Sequence, residues 1–126
     1  MKPEKMNLLF FKTMSDTDIE AVKKAFYTKE SLAELLNGNI KNTEAINVIT
    51  DKYQKAYEDW SNIMNDMQNK YLNGNSFDDA TFNINFTTKE FELIFKEVTE
   101  TESKAIQNKV NFEKGCSFEG FRLILP

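Results

Sequence analysis

Apolar and aromatic side chains recur at helical spacing through residues 45–72, where the chain reads AINVITDKYQKAYEDWSNIMNDMQNKYL. Successive members are three or four residues apart, which places them along one side of a helix of about seven turns. These members are Ile46, Ile49, Tyr53, Ala56, Trp60, Ile63 and Met67. Asn42 or Thr43 can cap such a helix and Gly74 can end it, so the pattern predicts a helix over about 43–72.

Two shorter helices are predicted ahead of this one. Ser15 can cap the stretch SDTDIEAVKKAF, in which acidic residues occupy the first turn and apolar residues return at helical spacing. Thr28 can cap the next stretch, KESLAELL, before Gly38 ends it. The predicted helices therefore cover about 15–27 and 29–37.

The second half of the chain changes to the two-residue period of β-strands. Apolar residues alternate with polar ones on both sides of TTKE, which predicts a hairpin with antiparallel strands over about 80–98. A competing interpretation starts a helix at Thr88. The alternation favours strand through 88–98, with a helical turn across 101–109. The alternating apolar residues of the hairpin are Phe82, Ile84, Phe86, Phe91, Leu93 and Phe95.

Short apolar stretches near the two ends complete the predicted sheet. The stretch NLLFFK, at 7–12, fits a buried strand or the start of a helix, and we favour the strand. The stretch VNFEKGCSFEGFRLILP predicts two strands within about 110–125, with a turn at Lys114-Gly115. Helices first and strands second is an α+β pattern. We therefore expect the N-terminal helices to pack on a C-terminal antiparallel sheet in a single domain, residues 1–126.

The charge balance of the chain is mildly acidic. It has 16 Lys and Arg against 20 Asp and Glu, a net charge of −4, and Arg122 is its one arginine. A negative chain repels phosphate polymers, and lysine lacks the planar fork with which arginine binds phosphate and guanine. We therefore expect no nucleic-acid partner. The preference for lysine, with frequent Asn, Ile and Phe, is also typical of a low-GC genome.

The residue inventory removes most catalytic and metal-binding arrangements. Without histidine and with a single cysteine, Cys116, the chain cannot form a Ser-His-Asp or Cys-His pair or an ordinary zinc site. The segment NGNSFDD, at 73–79, is rich in oxygen ligands, but Ile84 stands where a calcium loop needs its bidentate glutamate. We predict no catalytic residue, no metal site and no cofactor.

The hydrophobic stretches of the sequence are short. LLFF is shorter than the apolar region of a signal peptide, and no run approaches the roughly 18–20 residues of a membrane span. We therefore predict a cytoplasmic protein without a membrane partner. The alternative is that a leader was trimmed from the chain.

The predicted long helix carries a strip of large side chains that suits a protein interface. It consists of Tyr53, Tyr57, Trp60, Met64 and Met67, and we call it the aromatic strip. One interpretation packs this strip within the domain, as is usual for an apolar helix face. The other presents it to a partner, because Tyr, Trp and Met are enriched at protein interfaces.

Three classes of function follow from these observations. The first is a small acidic protein-binding module, such as an inhibitor, an immunity-type protein or a regulator from a low-GC microbe or mobile element. Its partner would be another protein or a second copy of itself, giving a homodimer. The second is a small-molecule binder whose pocket is lined by Phe82, Phe86, Phe91 and Phe95. The third is a histidine-free enzyme that uses carboxylates or Cys116. The missing catalytic residues favour the first class.

A chelator should leave the folded chain unchanged, because no metal site is predicted. We expect the melting temperature measured by circular dichroism to be the same with and without EDTA. A drop of several degrees in EDTA, reversed by added calcium, would show instead that the 73–79 segment holds a structural ion.

Overall fold

The computed structural model describes residues 4–38 and 40–126. It divides into two compact units, a helical unit formed by Asp16–Met67 and a sheet unit formed by the residues up to Ser15 together with Gln68–Pro126. The helical unit contains helix α1, Asp16–Asn37, and most of helix α2, Thr43–Tyr71. The α+β class predicted from the sequence is confirmed.

The sheet unit is built on four antiparallel strands. They are β1 (Met6–Thr13), β2 (Ala80–Asn85), β3 (Glu90–Val98) and β4 (Gly120–Ile124). Their order is β2-β3-β1-β4, so β1 is a central strand while β2 and β4 are the edges. β1 is buried on both faces at Leu8, Leu9 and Phe10, which explains its unbroken apolar run. The strand predicted over 7–12 is therefore confirmed.

One face of the sheet carries an aromatic core. The register places Phe10 opposite Leu93 on β3 and opposite Phe121 on β4, so these side chains point to the same face. The Phe10 ring also contacts Phe95 and Phe118, with centroid distances of 6.0 and 5.5 Å. Residues from β3, from β4 and from the loop before β4 thus meet around a single buried ring of β1.

The opposite face of the sheet is held by the chain's one arginine. The Arg122 guanidinium lies 4.0 Å from the centroid of Phe11 and donates to both carboxylate oxygens of Glu90, at 3.2 and 3.4 Å. Phe11 in turn covers Gly120, where a Cβ would come within 2.9 Å of the ring. Because Glu90 is only 8% exposed, its charge needs this partner.

The hairpin between β2 and β3 forms where TTKE predicts it. The side-chain oxygen of Asn85 accepts hydrogen bonds from the N–H groups of Thr87 and Thr88, at 3.0 and 3.1 Å. Lys89 then takes a left-handed φ of 58°, and asparagine-led turns of this kind favour chain reversal. Residues 88–98 belong to the turn and β3, so the competing helix is wrong.

The predicted division of the first helix into 15–27 and 29–37 is wrong, because α1 is continuous. Thr28 caps no second helix. Its hydroxyl donates to the carbonyl of Lys24 at 2.7 Å, which satisfies it within the same helix. Neither glycine nor proline separates the two predicted segments, so nothing interrupts the backbone.

α2 closely matches the predicted 43–72 helix. The side-chain oxygen of Asn42 accepts from the N–H of Ala45 at 3.2 Å at its start. At its end Asn73 and Gly74 have φ values of 54° and 75°, the left-handed conformation of a helix stop.

The strand predicted before Lys114-Gly115 is wrong. Glu100–Asn108 forms helix α3, and a π-helical segment, Lys109–Glu113, continues it. A capping box starts this helix: Thr99 Oγ accepts from the Glu102 N–H at 3.2 Å, and Glu102 Oε1 accepts from the Thr99 N–H at 3.0 Å. Within the predicted 110–125 region, strand is confined to β4.

We expect Thr99→Ala to lower the free energy of unfolding by about 0.5–2 kcal/mol, because it removes the capping hydroxyl. Thr101→Ala is the matched control, since Thr101 is exposed on the same helix and takes no part in the cap. Urea titrations of both variants measure the difference. Equal losses in the two variants would mean that the capping box is not the cause.

Candidate functional site

The aromatic strip lies on α2, and its members differ in exposure. Tyr57 is 49% exposed, whereas Met67 is buried with 9% of its surface exposed. Tyr53, Trp60 and Met64 are half-buried. The accessible part of the strip is therefore its first four members, and Met67 belongs to the core.

Tyr53, Tyr57 and Trp60 form a continuous row of rings. The centroids of Tyr53 and Tyr57 are 6.3 Å apart and those of Tyr57 and Trp60 are 5.8 Å apart, with tilted planes. Residues spaced by four and three positions are neighbours on a helix, which is why the row forms. Rings that already restrain one another have less side-chain freedom to lose when a partner binds.

α1 contributes a lysine that holds the end of this row. The Lys29 ammonium lies 4.9 Å from the Trp60 centroid and 5.3 Å from the Phe26 centroid. Its side chain is only 12% exposed, and its charge is compensated by Glu30 Oε1 at 2.6 Å. Cation–π attraction to two rings therefore fixes Trp60 in place.

Sequence reasoning missed Lys29. A usable signal was present, because Lys29 continues the three-and-four spacing of the apolar residues Ile19, Val22 and Phe26 on α1. A lysine at such a position covers apolar surface with its methylene stem and brings its charge to nearby aromatic rings.

The helical unit also holds the entire net charge of the protein. Asp16–Met67 contains ten Asp and Glu against six Lys, a net charge of −4, while the rest of the chain has ten acidic and ten basic residues. The aromatic strip is thus set in an acidic unit. A basic surface would be attracted to it.

An open groove of about 520 Å³ lies between α1 and α2. Its walls include three small side chains, Ala21, Ala25 and Ala56, which leave space between the helices. On α2, Asp59 and Asn62 line it, so the groove lies to one side of the aromatic row. It contains none of the strip residues.

Three of the four phenylalanines proposed for a ligand pocket, Phe82, Phe91 and Phe95, contact other rings. Phe91 is stacked on both Tyr71 and Phe82, with centroid distances of 5.2 and 5.5 Å, and is fully buried. Phe95 meets Phe77 edge to face at 5.9 Å. Such contacts are typical of a packed core. The small-molecule function stays a prediction.

Cys116 is buried and hydrogen-bonded. Its thiol donates to the carbonyl of Leu72 at 3.4 Å, and only 3% of its surface is exposed. Burial raises the pKa of the Cys116 thiol, although the Asn75 amide acts in the opposite direction. A raised pKa reduces the reactive thiolate, so this environment does not activate the sulfur as a nucleophile.

The 73–79 segment uses its amides to join backbone carbonyls. The side-chain N–H group of Asn75 donates to the carbonyls of Leu72 and Lys114, both at 2.9 Å. In the part of the chain that the structure describes, no three His, Cys, Asp or Glu side chains are grouped so that they could hold a metal ion.

Among residues 4–38 and 40–126, no helix combines the length and apolarity needed to cross a membrane.

Comparisons with models of protein families, with curated proteins and with solved structures gave no match to this chain. The function is therefore argued from the physical properties of the chain's own surface.

We expect Tyr57→Ala to lower the free energy of unfolding by less than about 1.5 kcal/mol, because half of the ring is already in water. Ile19→Ala, at a fully buried position of the same unit, should cost about 2–5 kcal/mol. Thermal and urea unfolding of both variants tests this contrast. Comparable losses would identify Tyr57 as a core residue and remove it from the candidate surface.

Proposed function

We propose that this chain is a small acidic protein-binding module that uses the aromatic strip of α2 to contact another protein. The row of Tyr53, Tyr57 and Trp60, with Tyr57 49% exposed, is the observation that carries this proposal. Tyrosine and tryptophan rings supply large contact areas, and their polar tips tolerate water before binding. They are also the residues that most often dominate binding energy.

The charge distribution supports a partner with a basic surface. All of the net −4 lies in the unit that carries the strip, so a basic protein would be drawn toward the aromatic row during encounter. An exposed lysine or arginine of the partner could also stack on Tyr57, as Lys29 does on Trp60. Association should therefore slow as salt concentration rises.

The proposed role is that of an inhibitor, an immunity-type protein or a regulator in the cytoplasm of a low-GC microbe or its mobile elements. The chain's lack of histidine and its buried, hydrogen-bonded Cys116 support a binding role over a catalytic one. A second copy is the alternative partner for the strip.

The test is to capture the partner from native lysate with the full chain and then to measure affinity with purified components. We expect Tyr57→Ala to weaken binding at least tenfold, about 1.4 kcal/mol. Tyr27→Ala is the matched control, because Tyr27 is a 56% exposed tyrosine outside the strip, and it should change affinity less than about twofold. Raising the salt concentration should lower the association rate of the wild type.

Equal weakening by Tyr57→Ala and Tyr27→Ala would contradict a binding role specific to the strip. Full affinity in Tyr57→Ala and in a Trp60→Ala variant that still folds would reject the strip as the interface. A partner that binds equally fast at low and high salt would reject the electrostatic part of the proposal.

A further inference from the structure

An Asn-Gly pair lies at the C-terminal end of each of the two long helices. Asn37 is the last residue of α1 and is followed by Gly38, while Asn73 and Gly74 come just after α2. All four residues are exposed. Such a pair is chemically reactive because glycine has no Cβ, so its backbone nitrogen approaches the preceding side-chain amide without steric hindrance. Asparagine is accordingly among the thermally labile residues of proteins.

Deamidation at an Asn-Gly pair is an intramolecular substitution followed by hydrolysis. The glycine nitrogen attacks the asparagine Cγ, the Cγ–Nδ2 bond breaks, and ammonia leaves with the proton of the glycine N–H. Water then opens the cyclic imide: cleavage of the new N–Cγ bond gives aspartate, and cleavage of the original peptide bond gives isoaspartate. The attack requires a glycine N–H released from its hydrogen bond and an asparagine side chain turned toward the backbone.

The structure restrains the Asn73-Gly74 pair on both sides. The Gly74 N–H donates to the carbonyl of Asn69 at 2.8 Å, and the Asn73 side-chain amide donates to the carbonyl of Lys114 at 3.3 Å. Leu72, directly before the pair, is only 1% exposed. Turning Asn73 into the geometry of attack therefore breaks two hydrogen bonds and disturbs a buried side chain.

The Asn37-Gly38 pair has fewer restraints. The Gly38 N–H donates to the carbonyl of Leu35 at 3.2 Å, a three-residue bond of the kind found at fraying helix ends. Within residues 4–38 and 40–126, the side chain of Asn37 makes no hydrogen bond. Leu36, directly before the pair, is half-buried, and Leu35 is 53% exposed. Opening this helix end therefore breaks one long hydrogen bond and exposes little additional apolar surface.

We propose that Asn37 is a site of spontaneous deamidation and that the fold protects Asn73, which has the same Asn-Gly sequence. Local opening is most frequent where few contacts are buried, and a reaction that needs an open backbone follows that frequency. The product at position 37 carries a negative charge at the C-terminal end of α1, where the helix dipole is also negative. It changes the net charge of the helical unit from −4 to −5. The modification does not depend on the proposed binding function.

Incubation of the full chain at mildly alkaline pH, followed by peptide mapping with mass spectrometry, measures both sites in one molecule. We expect Asn37 to convert to aspartate and isoaspartate at least about tenfold faster than Asn73, because its helix end opens more often. In concentrated urea the two rates should agree within about threefold, because both asparagines then precede a glycine in an unfolded chain. The unfolded chain is thus the internal control.

Gly38→Ala tests the chemical route, since a Cβ hinders the approach of the nitrogen. This Cβ would lie 3.3 Å from the carbonyl oxygen of Leu35, so the helix end needs only a small adjustment. The variant should slow conversion of Asn37 at least about tenfold and leave the rate at Asn73 unchanged.

Three outcomes would overturn the proposal. The first is conversion of Asn73 in the folded wild type at the rate of Asn37 or faster. The second is an Asn37 amide that persists in the folded chain and is lost only in urea. The third is an Asn37 rate that Gly38→Ala leaves unchanged. The first two are measured on the wild type, so they decide the question even if the alanine variant fails to fold.

Discussion

The burial of β1 on both faces is the constraint on which the sheet unit depends. Leu8, Leu9 and Phe10 are consecutive and almost fully inaccessible, so the strand needs covered side chains on both faces and hydrogen-bonded neighbours on both edges. Those neighbours, β3 and β4, come from the far end of the chain. Pairing β1 with β3 and β4 therefore brings together strands that are separated in sequence by the helical segment. Contacts this distant in sequence cost loop-closure entropy.

Placing β1 at the centre also assigns different roles to the two faces. Phe10 organises an aromatic core on one face. On the other face, the Arg122 side chain of β4 contacts Phe11 of β1 and donates a hydrogen bond to Glu90 of β3. One arginine thus compensates a buried carboxylate and leaves the outer edge of β4 without a charge.

The two units of the chain differ in net charge and in aromatic content. The sheet unit has balanced charges and most of the phenylalanines, while the helical unit holds the whole net charge and the row of Tyr53, Tyr57 and Trp60. In the helical unit, the Lys29 ammonium lies over both Phe26 and Trp60, so its charge contacts two rings as well as pairing with Glu30. The Trp60 ring held in this way, beside the 49% exposed Tyr57, is what the proposed binding role rests on.

The sequence by itself determined the α+β class, the bounds of α2 and the β2–β3 hairpin. These features depend on residues within about four positions of one another, which set helix faces, strand alternation and turns. Tertiary structure decided the helix in place of a strand near Val110 and the central position of β1. It also decided that Tyr57 is exposed while Met67 is buried, and that Lys29 meets Trp60. Each of these depends on which side chains, distant in sequence, come into contact in the fold. The spacing of residues along the chain does not specify those contacts.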